Sequence, residues 1–103
     1  MAKERSPALP NLPTALEQGT ANLEAYTWNA IFLPKNAPAD IVKKLNDTAL
    51  ATIKTPAVRE RLEALGAQIV ADDRATPQYL AQFVKDEIGK WAAPIKASGV
   101  SAD

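Results

Sequence analysis

The chain has 103 residues, twelve basic and twelve acidic, and it contains neither cysteine nor histidine. That length fits one domain with a modest core, but not two lobes with a cleft between them. The cancelling charges exclude a net field that would recruit nucleic acid or an anionic membrane. Because the usual general base, the thiolate nucleophile and the commonest metal ligand are missing, we predict no enzyme, no catalytic residue, no metal site and no cofactor.

A proline-rich segment, RSPALPNLPTALEQG, runs from Arg5 to Gly19 near the start of the chain. We predict that residues 1–22 form a proline-rich opening segment with a short helix, which begins after Pro13 and is capped by Thr14 or its neighbour. A second interpretation of Thr14 and Glu17 stays open, in which the positive end of this helix points toward an anionic solute. The capping interpretation is the simpler one, because it needs nothing outside the segment.

The next segment, LEAYTWNAIFL, has the composition of a buried strand. Alternate residues from Tyr26 to Phe32 are aromatic or apolar, and the opposite face, Thr27 to Leu33, is nearly apolar as well. Such a strand belongs inside a sheet, with neighbours on both sides. Pro34 ends it by removing a ladder donor. Asn29 is the polar exception, and it needs a hydrogen-bonding partner or a position facing a cleft.

Three helices and a second strand follow in the chain. The first helix is predicted from about Pro38 to Lys54, on apolar residues that repeat every four positions. The second has Thr55 as N-cap, is expected to bury Val58, Leu62 and Leu65, and stops at Gly66. The third has Thr76 as N-cap, and Pro94 is expected to kink or fray its last turn before Gly99. Between these two helices, Gln68–Ala71 is predicted to be a short buried strand.

Two strands cannot make a durable sheet by themselves, since an isolated pair is marginal and its outer edges stay unpaired. The missing strands would come from sequence not present here, from a second copy of the chain, or from a rearranged and more helical fold. We interpret the sequence as a fragment of a larger protein.

Several segments, taken in order, resemble the Bug family, the solute-binding receptors of tripartite tricarboxylate transporters. The similarity covers RSPALPNLPTALEQG, the aromatic strand, FLPKNAP, IVKKLN, TPAVRERLEALGAQIV and TPQYLAQFVKDEIGKW. The resemblance implies an α/β fold, a fragment of a type II periplasmic-binding-protein-like lobe with three helices packed on a small mixed sheet. It divides the chain into the opening segment 1–22, a strand-helix-helix-strand-helix lobe fragment 23–99 and a tail 100–103. The glycine-rich loops that supply most ligand contacts in the family have no counterpart in this sequence.

The same resemblance implies a function, namely capture of a small carboxylate between two closing lobes and delivery to a membrane permease. Thr27, Trp28 and Asn29 are the residues we expect to bind the substrate, with the hydroxyl and amide as hydrogen-bond donors and the indole as a wall. The family works in the periplasm. Met1-Ala2-Lys3-Glu4 leads into prolines and not into an apolar run, so the chain as written is expected to stay in the cytoplasm.

A competing hypothesis is a small stand-alone module that homodimerises or binds a protein partner through its amphipathic helices. In either case we expect the isolated chain to form a homodimer, because the Tyr26 to Leu33 strand would otherwise leave an edge and two apolar faces in water. Asp72 and Asp73 are adjacent carboxylates, but neighbouring residues of a loop point apart, so a solvated loop is expected there rather than a calcium or acid-base site.

Overall fold

The computed structural model describes residues 3–21 and 23–100. The helices in this part of the chain are α1 (Ala39–Ile53), α2 (Pro56–Ala64) and α3 (Pro77–Ser98), with a short 3₁₀ turn at Asp72–Arg74. The chain divides into two compact units, Met1–Ile69 and Val70–Asp103. The first unit holds the proline-rich segment, α1 and α2, and the second holds the 3₁₀ turn and α3. Of the predicted tail, 100–103, only residue 100 lies within the described residues, and Met1 and Ala2 lie outside them.

Helix α1 begins after Pro38 and carries Asp40 in its first turn, where a carboxylate complements the helix dipole. It contacts α2 within the first unit. Its half-buried positions are Val42, Asn46, Ala49, Leu50 and Ile53. Ile41 and Leu45 belong to the same four-residue repeat as Ile53, yet both are largely exposed. The apolar stripe is therefore wider than the face that α2 covers.

Helix α2 ends where the sequence predicts. Gly66 adopts φ +78°, and its amide donates to the Glu63 carbonyl at 2.9 Å while the Ala67 amide donates to the Leu62 carbonyl at 3.0 Å. These two bonds form a Schellman motif, which satisfies the last carbonyls of the helix and requires a residue that tolerates the left-handed region. The prediction that this helix stops at Gly66 is confirmed.

Helix α3 is the longest element; its predicted start is confirmed, whereas the fraying expected from Pro94 does not occur, since the helix runs on to Ser98. Thr76 caps the start, since its side-chain oxygen accepts from the Tyr79 amide at 3.1 Å, and Pro77 occupies the first turn. The helix continues past Pro94 as far as Ser98, and Gly99 terminates it in the left-handed conformation. The sequence therefore locates this helix well, because its caps are short-range signals.

The predicted mixed sheet is wrong. No strand occurs in residues 3–21 and 23–100, and both predicted strands, Tyr26 to Leu33 and Gln68 to Ala71, lie in segments that are neither helix nor strand. The architecture of the described residues is helical, not α/β. The physical reason is that a strand is defined by its ladder, so strand-like composition produces no strand where no partner strand aligns with it.

Large apolar side chains remain in solvent in both units. Among the described residues, only Ala75 and Thr14 count as buried, and no large side chain is fully buried. Ile31 in the first unit is 78% exposed and Ile88 in the second is 66% exposed. The helices are thus held mainly by their own hydrogen bonds and caps, and only partly by packing.

Candidate functional site

The three residues predicted to bind substrate follow one another in the segment that precedes α1. Thr27 and Asn29 are exposed and Trp28 is half-buried, in a stretch that is neither helix nor strand. Exposed hydroxyl and amide groups and a half-buried aromatic ring are groups that can contact a small polar molecule. No ligand contact is defined by this arrangement, so the assignment of Thr27, Trp28 and Asn29 stays a prediction.

The most ordered polar cluster lies instead at the start of the chain, around Thr14 and Glu17. The Glu17 amide donates to Thr14 Oγ1 at 3.1 Å, and the Thr14 amide donates to Glu17 Oε2 at 2.7 Å. This reciprocal pair is a capping box. The turn closes at Gly19 (φ +85°), where the Gly19 amide donates to the Leu16 carbonyl and the Thr20 amide to the Ala15 carbonyl. The segment is a single turn and not the short helix that the sequence predicts, and this turn is closed at both ends by its own residues.

Arg5 joins this cluster from twelve residues upstream. Its Nε lies 2.9 and 3.0 Å from the two Glu17 carboxylate oxygens, and its Nη2 lies 2.9 Å from Oε1. Its Nη1 also donates to the Pro10 carbonyl at 3.2 Å. The forked guanidinium thus holds the carboxylate and ties down the loop between them. This contact closes a loop whose ends are Arg5 and Glu17.

The electrostatics of Glu17 follow from these contacts. The hydrogen bonds from Arg5, and after them the hydrogen bond from the Thr14 amide, lower the pKa of Glu17 to about 2. The same ion pair raises the pKa of Arg5. Both side chains are open to water, so salt screens this ion pair. The role of the pair is to maintain the local geometry.

This cluster decides between the two interpretations of the opening segment. The amide at the start of the turn already donates to Glu17, the chain's own carboxylate. An incoming anion would have to displace that side chain from both Thr14 and Arg5. The geometry therefore favours the capping interpretation over a site for an anionic solute.

A shallow cleft of about 380 Å³ lies in the first unit, between the proline-rich loop and the end of α2. Pro7, Ala8, Ala67 and Ile69 supply most of its apolar lining. Its charged residues, Arg59 and Glu63, form an ion pair with each other at 3.3 Å on the surface of α2. The cleft thus presents an apolar floor beside a neutralised pair and not an unopposed charge for a carboxylate.

A second polar cluster lies on α3. Trp91 Nε1 donates to Glu87 Oε2 at 2.9 Å, and Lys90 Nζ lies 3.4 Å from Glu87 Oε1 and 5.5 Å from the centre of the indole ring. One turn earlier in the helix, Tyr79 and Phe83 stack with ring centres 6.3 Å apart. These contacts connect residues one to four positions apart on one helix, so they stabilise α3 and do not create a pocket.

Two classes of site receive no support in the part of the chain that the structure describes. No group of three or more acidic, histidine or cysteine side chains there could hold a metal ion. Asp72 and Asp73 lie in the exposed 3₁₀ turn. None of the helices formed by residues 3–21 and 23–100 has the length and apolar character needed to cross a membrane.

Sequence reasoning identified Thr14 and Glu17 but missed Arg5. The first two carry a local signal, since Thr-x-x-Glu is the spacing of a capping box. Arg5 is separated from Glu17 by three prolines, Pro7, Pro10 and Pro13, and no fixed sequence spacing predicts a contact between the two residues. The only available signal was chemical: a proline-rich loop with an arginine before it and an acid after it can be closed by an ion pair.

Comparison with curated proteins finds several bacterial relatives that align along most of this chain. The chain is 39% identical over 97 residues to a UPF0065 protein in the TAR-I ttuE-ttuC' intergenic region of Agrobacterium vitis. It is 35% identical over 89 residues to a UPF0065 protein in the tcbD-tcbE intergenic region of Pseudomonas sp. strain P51, and 32% identical over 99 residues to Protein BugT of Bordetella pertussis. These alignments cover 94%, 85% and 96% of this chain, but only 28%, 26% and 29% of the relatives. No solved structure gives a significant match.

The family model described as "Tripartite tricarboxylate transporter family receptor" matches residues 1–100. That match extends over nearly the whole chain, and the aligned relatives include a Bug protein. The resemblance seen in the sequence is therefore confirmed, although the chain spans less than a third of the length of these three relatives. The chain belongs to the receptor family of the tripartite tricarboxylate transporters.

Proposed function

We propose that this chain forms part of a periplasmic solute-binding receptor that captures small carboxylates and delivers them to the membrane permease of a tripartite tricarboxylate-type transporter. The observation that carries this proposal is the family match over residues 1–100. Receptors of this kind bind their solute and do not transform it, so the proposal requires no catalytic residue and no cofactor.

Within the receptor, Thr27, Trp28 and Asn29 are the residues that contact the solute. Exposed hydroxyl and amide groups donate hydrogen bonds to carboxylate oxygens, and a half-buried indole offers a flat apolar wall. The same segment is uncharged from Ala25 to Leu33. A site of this composition selects its solute by hydrogen bonding and shape, while any charge that neutralises the carboxylate comes from elsewhere in the receptor.

This chain by itself is not competent for tight binding. Small-molecule sites enclose most of the ligand's surface, whereas the three candidate residues are consecutive positions of one largely exposed segment. We therefore expect dissociation constants weaker than about 1 mM, which corresponds to roughly −4 kcal/mol. Calorimetric titration of the chain with citrate, malate, glutamate and nicotinate measures this directly, and micromolar affinity for any of them would contradict it.

A chimeric receptor tests the proposed function itself. Residues 1–100 of this chain replace the matching stretch of the Agrobacterium vitis relative, and the chimera is titrated with the same four compounds. For whichever compound binds, Asn29→Ala should weaken binding by about 10-fold or more, because a hydrogen bond to a charged group contributes about 1.5–3 kcal/mol. Asn11→Ala is the matched control, an exposed asparagine in the proline-rich loop.

Two results of that experiment would count against the proposal. If the chimera folds but binds none of the four carboxylates, capture of small carboxylates by this segment is not supported. If Asn29→Ala and Asn11→Ala lose the same affinity, residue 29 is not a contact residue.

The second candidate function is a small module that associates with itself. The exposure of Ile31 (78%) and Phe32 (61%), which are adjacent in an uncharged segment, favours it. Adjacent large apolar side chains in water promote association. A homodimer of this chain is therefore proposed beside the receptor role.

A further inference from the structure

We infer that two copies of this chain pair antiparallel along residues 26–32, about a two-fold axis that passes between the two Asn29 residues. These residues form the surface of the self-association proposed above, and their pairing does not depend on carboxylate capture. The contact forms between two copies, so it is compatible with a monomer whose described residues contain no strand.

The first observation is the composition and exposure of the segment. Residues 25–33, AYTWNAIFL, include no charge, no proline and no glycine, and are rich in aromatic and β-branched side chains. Segments of this kind pair readily with another chain when they are exposed. Tyr26, Ile31 and Phe32 are 47%, 78% and 61% exposed. The segment therefore presents apolar side chains on both of its faces.

The second observation is that the segment complements itself in one antiparallel register. With Asn29 opposite Asn29 of the second copy, Tyr26 lies opposite Phe32, which makes an aromatic pair at each end of one face. On the same face Trp28 lies opposite Ala30, a large residue beside a small one. Aromatic cross-strand pairs such as Tyr26 with Phe32 are favourable. The two asparagines can bond to each other through donor and acceptor groups that each of them carries.

The third observation is charge. Glu24 precedes the uncharged stretch and the exposed Lys35 follows it. Antiparallel pairing brings the end that carries Glu24 in one copy beside the end that carries Lys35 in the other. Parallel pairing in register would instead place Glu24 beside Glu24 and Lys35 beside Lys35. Lys3 lies 3.4 Å from Glu24 Oε2, and a carboxylate can accept from more than one cation. The flanking charges therefore select a second copy in the antiparallel direction.

The contact is small, and we expect it to be weak. A pairing of seven residues per copy is smaller than a standard protein interface, and contacts of that size are weak. We expect a dissociation constant of about 10–100 µM. The chain should be largely monomeric when dilute and dimeric at high micromolar concentration.

Light scattering after size exclusion, over a range of concentrations, tests the association and its location. The wild-type mass should rise from 11.0 kDa toward twice that value. Ile31→Lys, which places a charge inside the uncharged stretch, should keep the chain monomeric at the same concentrations. Ile88→Lys is the matched control, since Ile88 is an exposed isoleucine on α3, and it should still dimerise. Circular dichroism should show unchanged helix content in both variants.

Single cysteines test the register, because the wild-type chain has none. Asn29→Cys should form a disulfide-linked dimer under mild oxidation, since opposite Cα atoms in an antiparallel pair are about 4.5–5.5 Å apart. Ile31→Cys alone should cross-link at least 10-fold more slowly, because its two copies lie roughly 14 Å apart. A mixture of Thr27→Cys and Ile31→Cys chains should cross-link rapidly, since these positions face each other.

Several results would overturn the inference. If the chain is monomeric at high micromolar concentration, the inference is wrong, even if the chain then binds some other protein. Loss of the dimer in Ile88→Lys would also overturn it, as would equal cross-linking of residues 27, 29 and 31 each with itself, which indicates parallel stacking. None of these results bears on carboxylate binding by the chimeric receptor, so the two proposals fail separately.

Discussion

The turn that starts at Thr14 and the segment that starts at Leu23 are close in the chain, yet they differ in what they require. The turn is capped by hydrogen bonds between Thr14 and Glu17 and terminated at Gly19, all from residues of the same turn. The segment is far more apolar, yet it forms neither helix nor strand. Hydrophobic composition is therefore a weaker guide to local structure here than a short set of complementary polar groups.

The difference follows from loop closure. A capping bond joins groups three residues apart, so little chain entropy is lost in forming it. A strand ladder needs a second strand from elsewhere, and that partner has to be present before the pairing stabilises anything. The capped turn therefore forms within this chain, while the strand predicted from composition does not.

The largest effect on the capped turn should come from Gly19→Val. Gly19 adopts φ +85°, a conformation that costs residues with a side chain about 1–2 kcal/mol and is rarer still for a β-branched one. The variant should open the turn and destabilise it by about 2 kcal/mol. Hydrogen exchange of the Thr20 amide, which donates to the Ala15 carbonyl at 2.9 Å, reports the change.

Gly89→Ala is the matched control for that variant. Gly89 lies inside α3 with no atom within 4 Å of an added Cβ, so alanine should stabilise the helix by about 0.5–1 kcal/mol. Opposite signs at the two glycines would show that the backbone conformation of Gly19 is required. Unchanged exchange of Thr20 in Gly19→Val would mean that the left-handed residue does not hold the turn.

Removing a side-chain cap should have the next largest effect. Thr14→Ala and Thr76→Ala each remove an oxygen that accepts a backbone amide bond at 3.1 Å, so each should destabilise its own element by about 1 kcal/mol. Thr55→Ala is the control for amide capping, since the Thr55 side chain accepts no amide bond from α2 and donates instead to the Thr52 carbonyl at 2.7 Å. Amide exchange at Glu17 and Tyr79 measures the two losses. Equal losses in all three variants would show that capping is not the cause.

The sequence predicts the helical part of the fold well, because helix ends are specified by short-range interactions. Thr76, Pro77 and Gly99 specify the ends of α3 through interactions within a few residues. The predicted sheet fails because Tyr26 to Leu33 requires partner strands that its own composition cannot supply. Leu65 was predicted to be buried in α2 and is 79% exposed, because apolar periodicity shows which face can pack but not whether a neighbour covers it.

The polar cluster was only half predictable. Thr14 and Glu17 follow a known spacing, but the approach of Arg5 depends on the path of the proline-rich loop. Proline restricts that path without fixing it, since each proline sets one dihedral angle and leaves the others free. For Thr27, Trp28 and Asn29, residue type suggests a binding role, while the arrangement of groups around a solute depends on residues from distant parts of a receptor.

The pKa of Glu17 gives a sharper measure of the ion pair than stability does. It should be about 2 in the wild-type chain and should rise toward 4.5 in Arg5→Met, because the hydrogen bonds from Arg5 are the largest cause of the lowering. A carboxyl with a lowered pKa contributes its full stabilisation above pH 4.5 and loses it as the pH falls through about 2. In Arg5→Met, where the pKa lies closer to that of the unfolded chain, most of this pH-dependent contribution should be absent.

A titration of the side-chain carboxyl carbons by NMR measures both values. Lys3→Met is the control, since Lys3 contacts Glu24 and not Glu17, and it should leave the Glu17 titration unchanged. A Glu17 pKa near 4.5 in the wild-type chain would show that Arg5 does not engage the carboxylate in solution.

The smallest effects should come from the segment that lacks a ladder. Thr27→Val and Asn29→Ala change exposed side chains outside any helix or strand, so each should alter the free energy of unfolding by less than about 0.5 kcal/mol. Urea unfolding monitored by circular dichroism checks this at low micromolar concentration, where self-association is weak. Thr14→Ala, in the capped turn, is the comparison at which local stability is expected to fall.

Substitutions that leave the fold unchanged yet weaken solute binding in the chimeric receptor would identify residues 27 and 29 as contact residues. A loss of more than 1 kcal/mol at either position would instead mean that the segment already has a structural partner within this chain, and the contrast with the turn would no longer hold.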